Sequence, residues 1–224
     1  MRRRPRPSGQ PPLKVPSIYV HALSDAPVVP WEESDGRRIE SIPVSGIFAI
    51  GERRADLPPI SEQELHRQHD IVHRIAEAAP AALPARFGSL IDEAELAAVV
   101  NQRLASIQAA FALVRDKVQM TLRFAAPERQ ARSAPTAASG SEYLKRRREE
   151  MFPPVPPRSE DVLRALRAFV VDERRKASED GQITVYHLVR RRDVDHYRAA
   201  VSRAAVDGMS ATGPFPAFAF APEF

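Results

Sequence analysis

The sequence predicts an α+β fold in two domains: an N-terminal modified ferredoxin-like sheet with helices, and a C-terminal set of helices plus a small sheet. Three observations lead there. Val118 to Phe124 alternates apolar and polar residues, the period of a half-buried strand. Ala97, Val100, Leu104, Ile107, Phe111, Val114 and Val118 recur at alternating steps of three and four, which places them on one stripe of a long helix. Residues 126–140, rich in Ala, Ser and Pro, then separate this pattern from a second series of helix and strand signals and read as a linker.

Within the first domain, residues 17–125, Ser17 to Leu23 reads as a strand with Ile18, Val20 and Ala22 on one face and Tyr19, His21 and Leu23 on the other. A polar stretch to Gly36 precedes two short strands or a hairpin, Arg37 to Val44 and Gly46 to Gly51. Ser61 with Glu64 three residues on is a capping box, opening a helix whose apolar side carries Leu65, Val72, Ile75 and Ala76 and which stops at Pro80. Leu83 to Ile91 reads as a short apolar strand or extended turn. Asp92 and Glu95 repeat the capping pattern before the long helix, which runs to about Lys117. The order β, hairpin, α, β, α, β is that of a ferredoxin-like layer with an addition.

The second domain, residues 141–224, starts with a charged helix from Ser141 to Met151, followed by the Pro-rich and therefore extended Phe152 to Pro157. Ser159 caps a helix expected to reach Glu179, with Val162, Leu166, Phe169 and Val170 on its apolar side. Gln182 to Arg190 is a strand apolar on both faces, which suits an interior position in a sheet. A helix from Val194 to Val206 follows, and the chain closes on an aromatic segment, Gly213 to Phe220.

Composition limits the function. The 224 residues, 43% of them hydrophobic, suffice for a sizeable core. The absence of cysteine excludes disulfides, thiolate nucleophiles and Cys-based zinc sites, and fits a cytoplasmic location. No run approaches the roughly 18 unbroken apolar residues of a membrane span, so no membrane partner is expected. Of the formal charge of +4, the first fourteen residues hold +5, which leaves −1 on the remainder. A duplex-binding face needs a concentrated basic stripe, so no nucleic acid is expected. Residues 1–16 read as a disordered, basic, Pro-rich tail.

Candidate chemistry is sparse. His66, His69 and His73 fall on one helical stripe, and the i, i+4 pair His69 and His73 has the spacing of metal-binding helices. The interval between them holds Asp70, Ile71 and Val72, so the carboxylate is misplaced for a zinc-protease helix. A half-buried edge of hydrogen-bonding histidines competes with a metal-dependent ferredoxin-like enzyme. Arg86 stands within an apolar segment, where its stem packs and its guanidinium needs a carboxylate or carbonyls; an anion clamp is the other reading. Phe215, Phe218 and Phe220 either dock as a terminal strand or form a partner patch. The basic cluster Lys145 to Arg148 runs straight into Glu149 and Glu150, which suits a solvated helix. The common nucleophile-elbow and phosphate-loop motifs are missing, so neither an enzyme nor a cofactor is expected.

Four stretches in this order resemble the gas vesicle GvpL/GvpF family. They are Ile18-Tyr19-Val20-His21-Ala22-Leu23; the helix bearing His69 that leads into Leu83-Pro84-Ala85-Arg86-Phe87-Gly88; the long helix and strand followed by Tyr143-Leu144-Lys145-Arg146-Arg147; and Tyr186-His187-Leu188-Val189 with Thr212-Gly213-Pro214-Phe215-Pro216-Ala217-Phe218-Ala219-Phe220. Phe215 stands where the family usually has Trp, Ala217 where it has Pro, and Phe218 where it has Tyr. The resemblance implies a non-enzymatic minor structural or assembly protein that helps nucleate or assemble the gas vesicle shell. It would act through contacts with the shell protein GvpA and other gas vesicle accessory proteins, at the gas vesicle in the cytoplasm. Its implied structural or partner residues are Arg86, Phe87, Gly88, Tyr143, Leu144, Gly213, Pro214, Phe215, Pro216, Phe218 and Phe220.

Overall fold

A computed structural model describes residues 17–125, 155, 157–178 and 181–222. The expected tail, the helix Ser141 to Met151 and the residues Tyr143 and Leu144 lie outside the described residues. The strands are β1 (Ser17–Ser24), β2 (Trp31–Glu32), β3 (Arg38–Val44), β4 (Ile47–Arg54), β5 (Ala82–Pro84), β6 (Leu90–Ile91), β7 (Lys117–Phe124), β8 (Val170–Ala177), β9 (Ile183–Arg190) and β10 (Met209–Phe215). The helices are α1 (Glu62–Ala78), α2 (Glu93–Val114), α3 (Pro157–Leu166) and α4 (Val194–Ala204).

The first sheet runs β2-β3-β4-β1-β5, with β6 also paired to β1. Because β4 and β5 are both antiparallel to β1 and flank it, they are parallel to each other, joined through α1. This is the split β-α-β unit of ferredoxin-like folds. Two of the three predicted caps form: Ser61 Oγ accepts from the Glu64 amide at 3.2 Å, and Asp92 Oδ1 from that of Glu95 at 2.8 Å, whereas Ser159 lies inside α3, which starts at Pro157. Helix α1 covers one face of the sheet, burying Ile71 and Ile75 against Ala22, Ile39 and Ile50. Helix α2 covers the other, packing Leu96, Val100, Ile107, Phe111 and Val114 on Ile18, Val20, Leu23 and Leu83.

The faces of β1 differ from simple alternation. A bulge between Val20 and Ala22 shifts the register against β4, so Ala22 packs under α1 while Leu23 joins the α2 side. Gly51 sits opposite Val20 at this bulge. A Cβ there would stand 2.4 Å from the Tyr19 carbonyl oxygen, which explains the glycine by close backbone approach.

Helix α2 is long and apolar enough, by length and composition, to cross a membrane, with only 28% of its most apolar stretch buried. Polar residues interrupt the run, which is why the sequence shows no unbroken one. Here one side of it packs on the first sheet, through Leu96, Val100, Ile107, Phe111 and Val114.

The second sheet has the order β10-β7-β9-β8, antiparallel throughout. Two elements differ from expectation. β7, assigned by the sequence to the first domain's sheet, pairs along its whole length with β9 and also with β10, so α2 delivers the chain into the second sheet. The helix expected from Ser159 to Glu179 ends at Leu166, and Val170 onward is β8. The β-branched pair Val170-Val171 favours extended backbone, and β9 supplies the hydrogen-bonding edge. α3 and α4 bury Val162, Leu166, Tyr197 and Val201 against Met120, Leu122, Phe124, Ile183, Val185 and Val189. Strand β9 is interior, as its two apolar faces predict.

The sheets are joined in two places. The α2–β7 turn ties Asp116 N–H to the Pro80 carbonyl at 2.8 Å and the Arg191 N–H to the Asp116 carbonyl at 3.0 Å; Arg191 also donates to the Ala76 carbonyl. At the chain's end, a single helical turn, Phe218–Phe220, folds back so that Ala217 and Phe220 enter the first core beside Leu188 of β9. Phe220 is fully buried, and Phe220→Ala is expected to cost about 3–5 kcal/mol. Urea unfolding followed by circular dichroism checks this; a cost below about 1 kcal/mol would mean that the turn is not part of the core.

Candidate functional site

Two segments singled out separately in the sequence meet in space. The Leu83–Ile91 segment lies against β1: Pro84 is opposite Ala22, and the Ala85 N–H donates to the His21 carbonyl at 2.9 Å. Gly88 N–H donates to the Tyr19 hydroxyl at 3.0 Å, and Phe87 packs edge-on against the Tyr19 ring. The C-terminal turn crosses beside it. Gln119 is buried on the face of β7 away from α3 and α4, and its Oε1 accepts from the Ala219 N–H at 2.7 Å. Arg174 of β8 donates to the Ala219 carbonyl at 2.6 Å, with its guanidinium over the Phe220 ring.

Gly213, which precedes this turn, has φ +118°, and a Cβ on it would lie 2.8 Å from the Gln119 carbonyl oxygen. Its own carbonyl accepts from Arg198 at 2.9 Å. Phe215 is half-buried and Pro216 buried, whereas Phe218 turns outward. The helical turn, not an extended strand, therefore sets Phe218 and Phe220 on opposite sides.

The histidine stripe of α1 faces these aromatics. His69 stacks on Phe218 at 6.2 Å, and Phe215 meets His69 and His73 edge-on at 6.0 and 6.4 Å. His66 lies away from them, in a groove with Asp35, Arg37 and Glu64. Among the described residues no group of three His, Asp or Glu converges as a metal site. His69 and His73 instead serve as packing partners for Phe215 and Phe218.

An open cleft of about 510 Å³ lies between α1, the Leu83–Ile91 segment, β8 and the C-terminal turn. Leu65, Gln68, His69, Pro84, Arg86, Phe87, Arg174 and Phe218 line it. Leu65, expected on the apolar core side of α1, is 45% exposed at this cleft, and Phe218 is 39% exposed. Arg86 is exposed at the rim rather than buried in its apolar segment. A second trough, about 450 Å³, shares Arg174, Phe218 and Ala219 with the first and adds Arg175, Lys176 and Tyr186.

Under the cleft lies a buried polar network that sequence reasoning did not single out. His21 Nδ1 and Gln68 Oε1 are 2.5 Å apart, both residues buried. Glu52, also buried, accepts from both arms of Arg67, at 3.2 and 2.9 Å, and from Arg54 at 3.1 Å, with Arg37 beyond at 3.6 Å. Burial raises the Glu52 carboxyl pKa, but the Arg67 hydrogen bonds and the surrounding cations outweigh it and leave the pKa lowered. Burial depresses the His21 pKa to about 4, so the ring is neutral at physiological pH. The signal in the sequence was the alternation of β1, which put His21 on a sheet face with Tyr19.

A second network binds the other sheet. His187 Nδ1 is 2.8 Å from the Tyr197 hydroxyl, and its Nε2 is 3.0 Å from Glu173 Oε2. The arrangement has the order of a catalytic relay, but Tyr197 and His187 are fully buried, so the hydroxyl end is sealed. It ties β8, β9 and α4 together.

The model of the family described as gas vesicle synthesis protein GvpL/GvpF matches residues 17–222. The chain belongs to the GvpL/GvpF family. It is therefore a gas vesicle protein, as the resemblance of its motifs implied. No curated protein sequence matches it. Among solved structures, the crystal structure of gas vesicle protein GvpF from Microcystis aeruginosa is similar with TM-score 0.68 at 12% identity, covering 93% of this chain and 100% of that one. That of GvpF from Anabaena sp. PCC7120 gives TM-score 0.67 at 11% identity, covering 93% and 99%. At such identities the likeness establishes the shared α+β fold of the family.

The buried His21 makes acid stability a test of the network. The unfolded chain binds a proton near pH 6.5 that the folded chain refuses until about pH 4. Stability is therefore expected to fall as pH drops through this window, by up to about 3 kcal/mol. Glu52 and Glu173, whose pKa values are lowered, add losses in the same direction at lower pH. Urea midpoints at pH 7 and pH 5 should differ in the native chain and much less in His21→Gln; an equal difference in both would show that His21 is not the source.

Proposed function

We propose that the protein is a minor structural or assembly component that helps nucleate or assemble the gas vesicle shell through protein–protein contacts. The shell protein GvpA and other gas vesicle accessory proteins are its partners, in the cytoplasm where the shell forms. The observation that carries this reading is the exposure of Leu65 and Phe218 at the cleft where the C-terminal turn crosses α1. The part of a large apolar side chain left wet at the mouth of a cleft adds nothing to folding, and it gains roughly 25 cal/mol per Å² when a partner covers it.

The site residues divide accordingly. Phe220, Pro216 and Gly213 hold the turn, Phe215 packs on the histidine stripe, Phe87 and Gly88 fix the neighbouring segment through Tyr19, and Arg86 and Phe218 face the partner. Family membership supports a binding role over catalysis, as does the engagement of His69 and His73 with Phe rings.

Complementation tests the reading. Deletion of the gene in its host should abolish buoyant vesicles, and the native chain should restore them. Leu65→Ser with Phe218→Ser, both exposed changes that should leave thermal unfolding within a few degrees of native, should fail to restore them. Full vesicle formation with that soluble, folded double variant would contradict the role assigned to the cleft.

A further inference from the structure

The cleft and the trough beside it have one sign of charge. Arg86 and Arg174 line the first, and Arg174, Arg175 and Lys176 the second; no carboxylate lines either among the described residues. Arg175 is paired with Glu173 at 2.6 Å. The contacts of Arg174 are a carbonyl and an aromatic ring, neither of which neutralises its charge. Lys176 is exposed on the same strand. This concentration stands out because the chain beyond its first fourteen residues is close to neutral.

The walls between these cations are apolar: Leu65, Pro84, Phe87 and Ala221 in the cleft, and Phe218 at the junction of the two basins. The basins share Arg174, Phe218 and Ala219, so they adjoin at one aromatic ring. Adjoining basins that combine cations with apolar walls fit a chain that carries both acidic and aliphatic side chains. The carboxylates would face Arg174 and Lys176, and the aliphatic groups would cover Leu65 and Phe218. A single strand of nucleic acid could stack on Phe87, Phe218 or Tyr186, but it would leave the aliphatic walls Leu65, Pro84 and Ala221 without a partner. Resting on the binding role proposed above, we infer that the two basins together receive an acidic, aliphatic-rich segment of a partner polypeptide.

The test uses the full chain and fluorescence anisotropy with three labelled probes: a short peptide of alternating Leu and Glu, the same peptide with Lys for Glu, and an oligothymidylate. The Leu/Glu peptide should bind, with an affinity that falls as salt rises. Lys176→Glu, an exposed reversal that should leave the unfolding temperature unchanged, should weaken it by about tenfold. Phe218→Ser should weaken it without altering its salt dependence. Equal binding of the Leu/Lys peptide, preference for the oligothymidylate, or no binding of the acidic peptide would overturn the inference. So would acidic-peptide binding that appears only after removal of residues 223–224, since the chain's own end would then be the occupant. A chain that ignores the acidic peptide yet needs Leu65 and Phe218 to make vesicles removes this chemistry and leaves the assembly role standing.

Discussion

The docking of the C-terminal turn across both sheets is the constraint on which the rest of the structure depends. Its physics is a combination of full burial and complete hydrogen bonding. Phe220 leaves water entirely, and the Ala219 backbone, carried to a half-buried position with it, has both polar groups satisfied by side chains of the second sheet, Gln119 and Arg174. A buried peptide group without such partners would cost more than the ring gains. The polar face of β7 therefore exists to receive this turn, and β10, which ends in it, is held in register by its pairing to the same strand. One docking event positions Ala217, Phe218, Phe220 and the walls of the cleft.

The Glu52 cluster supports the site from the other side. A buried carboxylate is tolerable only if its charge is compensated and its oxygens are bonded, and Arg67 and Arg54 meet both needs. Since Arg67 lies on α1 one position before Gln68 and two before His69, the ion pair sets the rotation of the helix. That rotation turns Leu65 and His69 toward the cleft and Ile71, Val72 and Ile75 into the interior.

Much of this was legible in the residues. The two capped helices, the alternating strand β7, the interior character of β9 and the motifs around Arg86 and Gly213 all carry local signals, and local signals survive folding. The failures share a different cause. The bulge at His21 exchanges the faces of Ala22 and Leu23, and a period-two reading cannot detect one extra residue. Helix α3 gives way to β8 because β9 offers it a partner, which charged residues such as Asp172 and Arg175 do not announce. Gln119 and Thr121, outward by alternation, are buried under a turn about a hundred residues later in the chain. Leu65 fits an apolar stripe by spacing and is exposed because the stripe's end meets the cleft, not the sheet. In each case a long-range contact overrode a correct local pattern, and the cleft itself is made entirely of such contacts.

On the proposed function, the seam made by the docked turn is where another gas vesicle protein sits. Site-specific photocrosslinking in vesicle-forming cells tests this most directly, with a benzoyl-phenylalanine at position 218 and, as a control, at Val29, which is 85% exposed and lines neither basin. The account predicts a discrete adduct with a gas vesicle protein from position 218 and none from position 29. Adducts of the same kind and yield from both positions, or none from position 218, would contradict it.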